Sequence, residues 1–214
     1  MKQNSSIYQI SVIRSGSTLI YQILCDLFPN RKIIKQHHFP KVPYLDFPVV
    51  STYRDPRDIL VSAWRTFILS RNGQKIGIMM TKKDIDNTFD FLDPYIINFN
   101  KGKERFSESV LWLKYEDFYK DTDVIFNAME KYFSITISKK TREKIKANCS
   151  IDKNRERAKS FKNFGEYDYL KTEIHGDHIF KGEIGGWKII IPNDLHDMVN
   201  DKFKNDLKSW GYEK

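Results

Sequence analysis

Three stretches of this sequence have the residue types and spacing to handle an anion. The first is the turn Arg14-Ser15-Gly16-Ser17-Thr18, whose side chains are nearly all small, hydroxylated or cationic. It lies between an apolar run and an amphipathic segment, and a strand, a tight glycine turn and a helix start gather backbone N–H groups around one point. The helix dipole favours negative charge at the same place. Arg14 adds a guanidinium fork and the hydroxyls add donors, each such bond to a charged group contributing roughly 1.5–3 kcal/mol. The turn reads as a phosphate cradle or, taken alone, as an ordinary strand-to-helix connection with a serine N-cap. It does not match G-x-x-x-x-G-K-[ST], so it is no ordinary ATP-binding loop.

The second stretch is TYRDPRDILVSAW, residues 52–64. Arg54 falls at a strand end and Ser62 one or two turns into the following helix, so both can face the edge where the first turn lies. A second phosphate there suits a nucleotide phosphorylated at two positions; the alternative is that Arg54, Asp55, Arg57 and Asp58 only cap and decorate a helix. The third is HIFKGEIGGWK, residues 178–188. Its Gly182, Gly185 and Gly186, beside Lys181 and Lys188, permit close backbone approach to an anion, or else form a surface turn anchored by Trp187.

The elements that must position these residues are legible from periodicity. Ile7–Ile13 reads as a strand running into the first turn, and Leu19, Ile20, Ile23, Leu24, Leu27 and Phe28 recur at helical spacing. Further strands are expected over 32–35, 47–53 and 110–113. Asp55 as N-cap, Pro56 at the first helical position and Asp58 at the third specify a helix start three ways. A helix over 84–99 interrupted at Pro94, helices over 119–133 and 138–148, and a final helix over 195–210 ending at Gly211 complete the pattern. The polar, basic segment 150–182 reads as a long loop or lid. Alternating strands and helices predict an α/β domain around a mainly parallel sheet flanked by helices.

The 214 residues, 40% hydrophobic and 14% aromatic, suffice for one domain, 1–214, with a sizeable core. Lys and Arg number 36 against 28 Asp and Glu, a net charge of +8 that favours an anionic partner. A nucleic-acid reader should show a basic stripe with exposed aromatics; here the informative cations sit at strand-to-helix turns. Cys25 and Cys149 have no zinc-like spacing and fit a reducing cytoplasm. No signal core and no run of about 18 apolar residues is present, so a soluble, unprocessed chain without stable membrane insertion is expected.

Taken in order, and with VLWLKYEDF at 110–118, these stretches resemble the sulfotransferase family that uses 3′-phosphoadenosine 5′-phosphosulfate, PAPS. The resemblance implies a P-loop-like three-layer α/β domain. It also implies that Arg14, Ser15, Gly16, Ser17 and Thr18 hold the 5′-phosphosulfate, that Arg54 and Ser62 hold the 3′-phosphate, and that Tyr115 approaches the adenine. FKGEIGGWK is similar to the family's R-K-G-x-x-G-x-W-K loop, which brings in Lys181 and Gly182. This chain departs from the family at Arg14, where the cytosolic branch has Lys; at Leu19, where a Trp stacks on adenine; and at Phe180, in place of an Arg. Lys181, or Arg155 and Arg157, could make good that last loss, unless the Arg155–Arg157 run is simply a solvated helix face.

Sulfuryl transfer needs the acceptor proton removed and positive charge beside the leaving phosphate. Arg14 suits the second task. For the first, KQHHFP at 35–40 resembles the family's K-T-H-x-P segment: the H-x-P half selects His38, and the K-x-H half selects His37 as second choice. A histidine near its usual pKa of about 6.5 can accept a proton. The expected activity is PAPS-dependent O-sulfotransfer to a small-molecule or glycan hydroxyl, with no bound metal. The alternatives are a P-loop kinase, because a strand ends in Glu116-Asp117, and a non-catalytic PAPS- or PAP-binding protein.

Overall fold

The computed structural model describes residues 6–69, 79–162, 165–168, 172–176 and 182–213. Four parallel strands form the sheet: β1 (Ile7–Ile10), β2 (Ile33–Gln36), β3 (Val49–Tyr53) and β4 (Val110–Lys114), in the order β2-β1-β3-β4. Ile7 pairs with Ile33, Tyr8 with Val49, and Tyr53 with Lys114. The chain therefore leaves β1 towards one edge and β3 towards the other. The crevice between their carboxyl ends is the switch point where open α/β sheets take ligands.

Successive strand residues face opposite sides, and the two sides build two cores. Ile7, Val50 and Leu113 pack with Ile20, Leu24, Phe126 and Met129, under α1 (Ser17–Leu27), α5 (Asp123–Phe133) and α6 (Lys139–Asn148). Ile10, Val49 and Val110 pack with Trp64, Phe99, Phe203 and Trp210, under α2 (Pro56–Ala63) and α3 (Lys82–Arg105). The expected α/β architecture, helices on both faces of a parallel sheet, is what the chain adopts.

At α2 the Asp55 carboxylate accepts the Arg57 N–H at 2.9 Å, the N-cap expected from D-P-R-D. The helix runs on into a π-helical turn, Trp64–Leu69. α3 starts at a Thr81–Asp84 capping box and continues for 24 residues through Pro94, where an interruption was expected. Pro94 and Asp90, whose carbonyl loses its partner, both lie on the exposed face, where water can satisfy it. β4 leads into a single turn, α4 (Tyr115–Phe118).

The segment expected as a loop from residue 150 opens instead with a helix, α7 (Ile151–Lys159), because Ser150 caps it by accepting the Lys153 N–H. After α8 (Trp187–Ile190), the single expected C-terminal helix is divided into α9 (His196–Lys202) and α10 (Lys204–Ser209). The break falls at Phe203, which is buried and packs edge-on against Phe89, 5.3 Å between ring centres.

Candidate functional site

Two left-handed residues shape the first turn: Arg14 at φ 63° and Gly16 at φ 87°. Gly16 is required twice over, since a β-carbon there would also lie 3.0 Å from Cδ2 of Tyr115 and 3.1 Å from Cζ of Phe118. Ser15 is fully buried; its hydroxyl donates to the Val12 carbonyl at 2.6 Å and lies 2.7 Å from Oγ1 of Thr52, lashing the turn to β3. Gly16 is also the N-cap of α1, so no side chain occupies the first-turn N–H groups. A helix start built this way presents its dipole and its amides to an anion.

Arg14 and Arg54 converge on that helix start from β1 and β3. Arg14 Nε donates to the Ser62 hydroxyl at 3.0 Å. Arg54 Nη2 donates to the Glu183 carbonyl at 2.5 Å and stands 3.5 Å from Asp58, while its guanidinium covers the Tyr115 ring at 4.4 Å. Arg54 Nε is buried without a hydrogen-bond partner among the described residues. Burial, followed by the charge of Arg54, lowers Arg14 to about 10. Two guanidiniums forced together in a buried cleft create a strong positive potential, which an anion would relieve.

Asp58 fastens the last glycine loop to α2. Its carboxylate accepts the N–H of Gly185 at 2.8 Å and of Trp187 at 3.1 Å. Burial pushes its pKa up, against Arg54 and these two amides, which pull it down. Tyr115 donates to the Gly182 carbonyl at 3.0 Å. Gly182 has φ 68°, and a β-carbon on it would fall 2.8 Å from the Tyr115 hydroxyl, so here too only glycine fits.

On the far side of the α1 start, Lys35 donates to the Thr18 hydroxyl at 3.0 Å and pairs with Glu173 at 3.6 Å. Burial lowers Lys35 to about 8. His37 Nδ1 lies 2.9 Å from the Ser11 carbonyl. A carbonyl only accepts, so Nδ1 carries the hydrogen and Nε2 carries the lone pair. Burial lowers His37 to about 4, leaving it neutral at pH 7. Beyond it stands an aromatic wall: Phe67 and Phe91 lie 4.8 Å apart, and Phe91 and Tyr95 lie 5.6 Å apart.

A cavity of about 780 Å³ joins these parts. Of the residues singled out in the sequence, Arg14, Gly16, Ser17, Thr18, His37, Arg54, Ser62, Tyr115 and Gly182 line it. Ser15 lies beneath it. His38 is exposed outside it, tilted against Tyr95 at 4.9 Å. Lys181 and Phe180 fall outside the described residues. Arg155 pairs with Asp152 and Arg157 bonds the Asn148 carbonyl, both as decoration of α7. Sequence reasoning gave no role to Lys35, Glu173 or the aromatic wall; for Lys35 the K-x-H spacing was the available signal. Among the described residues no cluster of three or more His, Cys, Asp or Glu could hold a metal, and no helix is long and apolar enough to cross a membrane.

The crystal structure of mouse sulfotransferase SULT7A1 complexed with PAP superposes with a TM-score of 0.69 at 13% identity, over 98% of this chain and 89% of that one. Retinol dehydratase in complex with androsterone and inactive cofactor PAP gives 0.69 at 17% identity, over 95% and 80%. The same enzyme with retinol and PAP gives 0.67 at 17%, over 95% and 81%. No curated protein matches by sequence. These likenesses establish the fold. The sequence profile of the sulfotransferase domain matches residues 29–211. It therefore covers β2 to α10, including the Arg54 and Gly182 segments, and the chain belongs to the sulfotransferase domain family.

Proposed function

We propose that this protein transfers the sulfuryl group of PAPS to the hydroxyl of a small, largely apolar acceptor. The observation that carries this reading is the convergence of two guanidiniums, the half-buried Arg14 and the buried Arg54, on the uncapped start of α1 in one cavity. A nucleotide with phosphates at two positions matches two cationic foci better than a single phosphate does. The fit is helped by Arg54 Nε, a buried donor without a partner among the described residues, and by Gly16 and Gly182, whose lack of a β-carbon lets Tyr115 pack against both turns at the cavity. PAP in the structural neighbours supports the same donor.

In the reaction the acceptor oxygen attacks sulfur as the sulfur–oxygen bond to the 5′-phosphate breaks, its electron pair leaving with PAP. Arg14 and Lys35 offset the charge developing on the leaving phosphate. His37 is the better placed base, because its Nε2 lone pair belongs to a cavity-lining ring, whereas His38 is exposed outside. Binding of the anionic donor raises the pKa of His37 from its low value towards neutrality, which makes it a stronger base in the complex than in the free protein. The wall of Phe67, Phe91 and Tyr95 beside His37 favours a phenol or apolar alcohol over a sugar.

The test is incubation with PAPS carrying radioactive sulfur and three acceptors: a phenol, an apolar primary alcohol and a monosaccharide. Label should pass to the first two. Transfer to none of them, with PAP still bound, would leave a nucleotide-binding protein without catalysis.

A further inference from the structure

Residues 166–168 and 172–176 form a strap beside α1. Tyr167 and His175 form an antiparallel bridge with stacked rings, 4.3 Å between centres, and the Asp168 N–H donates to the Ile174 carbonyl at 3.1 Å. A buried polar chain ties this strap down. Gln22 of α1 donates to the Thr172 carbonyl at 2.9 Å, and Asn154 of α7 donates to the Gln22 side chain at 2.9 Å. Ile174 and His175 line the cavity.

In this strap Glu173 has φ 55°, a left-handed conformation unfavourable for a residue with a β-carbon. Its N–H donates to the Asp168 carbonyl at 2.9 Å. Glycine would adopt this turn without strain, yet the position carries a carboxylate, and that carboxylate meets Lys35 at 3.6 Å. Strain kept next to cavity-lining residues points to a role for the strained side chain. An ammonium has three donors. Thr18 of the anion cradle takes one and Glu173 faces a second, so the third remains for an oxygen of the donor's sulfuryl or phosphate.

We propose that Glu173 is the positioning residue for Lys35, holding its ammonium charged and aimed at the transferred group; the catalytic meaning of this rests on the sulfotransfer reading above. Burial of Lys35 works against its charge, with Arg14 adding to the same effect, and Glu173 opposes both. The other titratable groups around the pair are His37 beside Lys35, and Tyr21, Cys25 and Asp168 on the strap side. Among the described residues Glu173 is the one carboxylate that acts on Lys35.

The experiment compares the whole protein with its Glu173→Gln and Glu173→Asp variants. Lys35 is titrated by NMR on lysine-labelled protein, its signal assigned by its disappearance in Lys35→Arg. Glu173→Gln should move the Lys35 titration down by about one unit, the usual effect of losing an opposite charge at this range, and Glu173→Asp should restore part of it. The alkaline limb of kcat/KM should move with it, so that activity falls about fivefold at pH 8 and little at pH 6. An unmoved Lys35 titration, or a rate loss equal at all pH values, overturns the proposal. A shifted titration in proteins that show no turnover would support the pairing and reject only the sulfotransfer reading.

Discussion

Replacing Arg54 by Met keeps the length of the side chain and removes its charge, which separates the role of the cation from that of its bulk. Arg54 is 6% exposed and meets the Glu183 carbonyl and Asp58, and its Nε has no partner among the described residues. If it holds the 3′-phosphate, two charge-assisted bonds are at stake, nominally about 3–6 kcal/mol. Part is offset because a bound phosphate competes with Asp58 and Glu183 for the same fork. A net loss of about 3 kcal/mol weakens PAP about a hundredfold. Titration calorimetry with PAP and with AMP, which lacks the 3′-phosphate, reads this directly: PAP should weaken and AMP should hardly change. The variant also leaves Asp58 without its cation. The pKa of Asp58 is already raised by burial, and it rises further. A folded-state carboxyl above its unfolded value gives stability that is complete below the unfolded pKa and is lost as pH rises through the folded one. The variant's deficit in Tm should therefore be small near pH 4 and larger near pH 7. Equal losses for PAP and AMP, or unchanged PAP affinity in a folded variant, would refute the assignment of Arg54.

His37→Ala should lower kcat by about 10²–10⁴-fold with PAP affinity nearly unchanged, while His38→Ala should alter kcat only about threefold; the reverse result from the same assays would return the base to His38. The kcat/KM profile of the free protein should stay flat between His37 at about 4 and Lys35 at about 8, and an acid limb near 6.5 would contradict the lowered pKa of His37. The same low pKa makes the His37 contribution to stability full above its unfolded value near 6.5 and lost as pH falls through about 4, which Tm against pH checks. Gly182→Ala should weaken PAP about tenfold, because the added β-carbon displaces the Tyr115 hydroxyl and the left-handed backbone costs about 1–2 kcal/mol. Asp55→Ala removes both the N-cap of α2 and the 2.7 Å pair with Arg57, and should cost about 2 kcal/mol, a fall in Tm of about 4–8 °C by calorimetry.

The parts of the architecture set by local rules could be read from the sequence. Asp55-Pro56-Arg57-Asp58 specifies a helix start by itself, and β3 and β4 are short apolar runs bounded by charge. Pro94 misled because the cost of a proline in a helix depends on which face it occupies, and helical spacing alone did not put it on the solvent side. The final helix was expected unbroken because its apolar spacing is continuous across Phe203, where packing against Phe89 decides the break. Among site residues, the cations at strand ends were visible because strand ends converge on a switch point. Which of His37 and His38 lines the cavity was not, since it turns on which ring the Ser11 carbonyl can reach. Glu173 was out of reach for the same reason: it meets Lys35 across 138 positions of sequence, through a strap whose anchor, Gln22, lies in α1.

The proposed occupant of this cavity is a nucleotide phosphorylated at both the 3′ and 5′ positions, bound without a metal. Calorimetric titration with PAP and with ATP, each in the presence and absence of Mg²⁺, tests it most directly. PAP should bind tightly whether or not Mg²⁺ is present, and ATP should bind weakly. Preference for Mg²⁺ and ATP over PAP would contradict it and favour the kinase alternative.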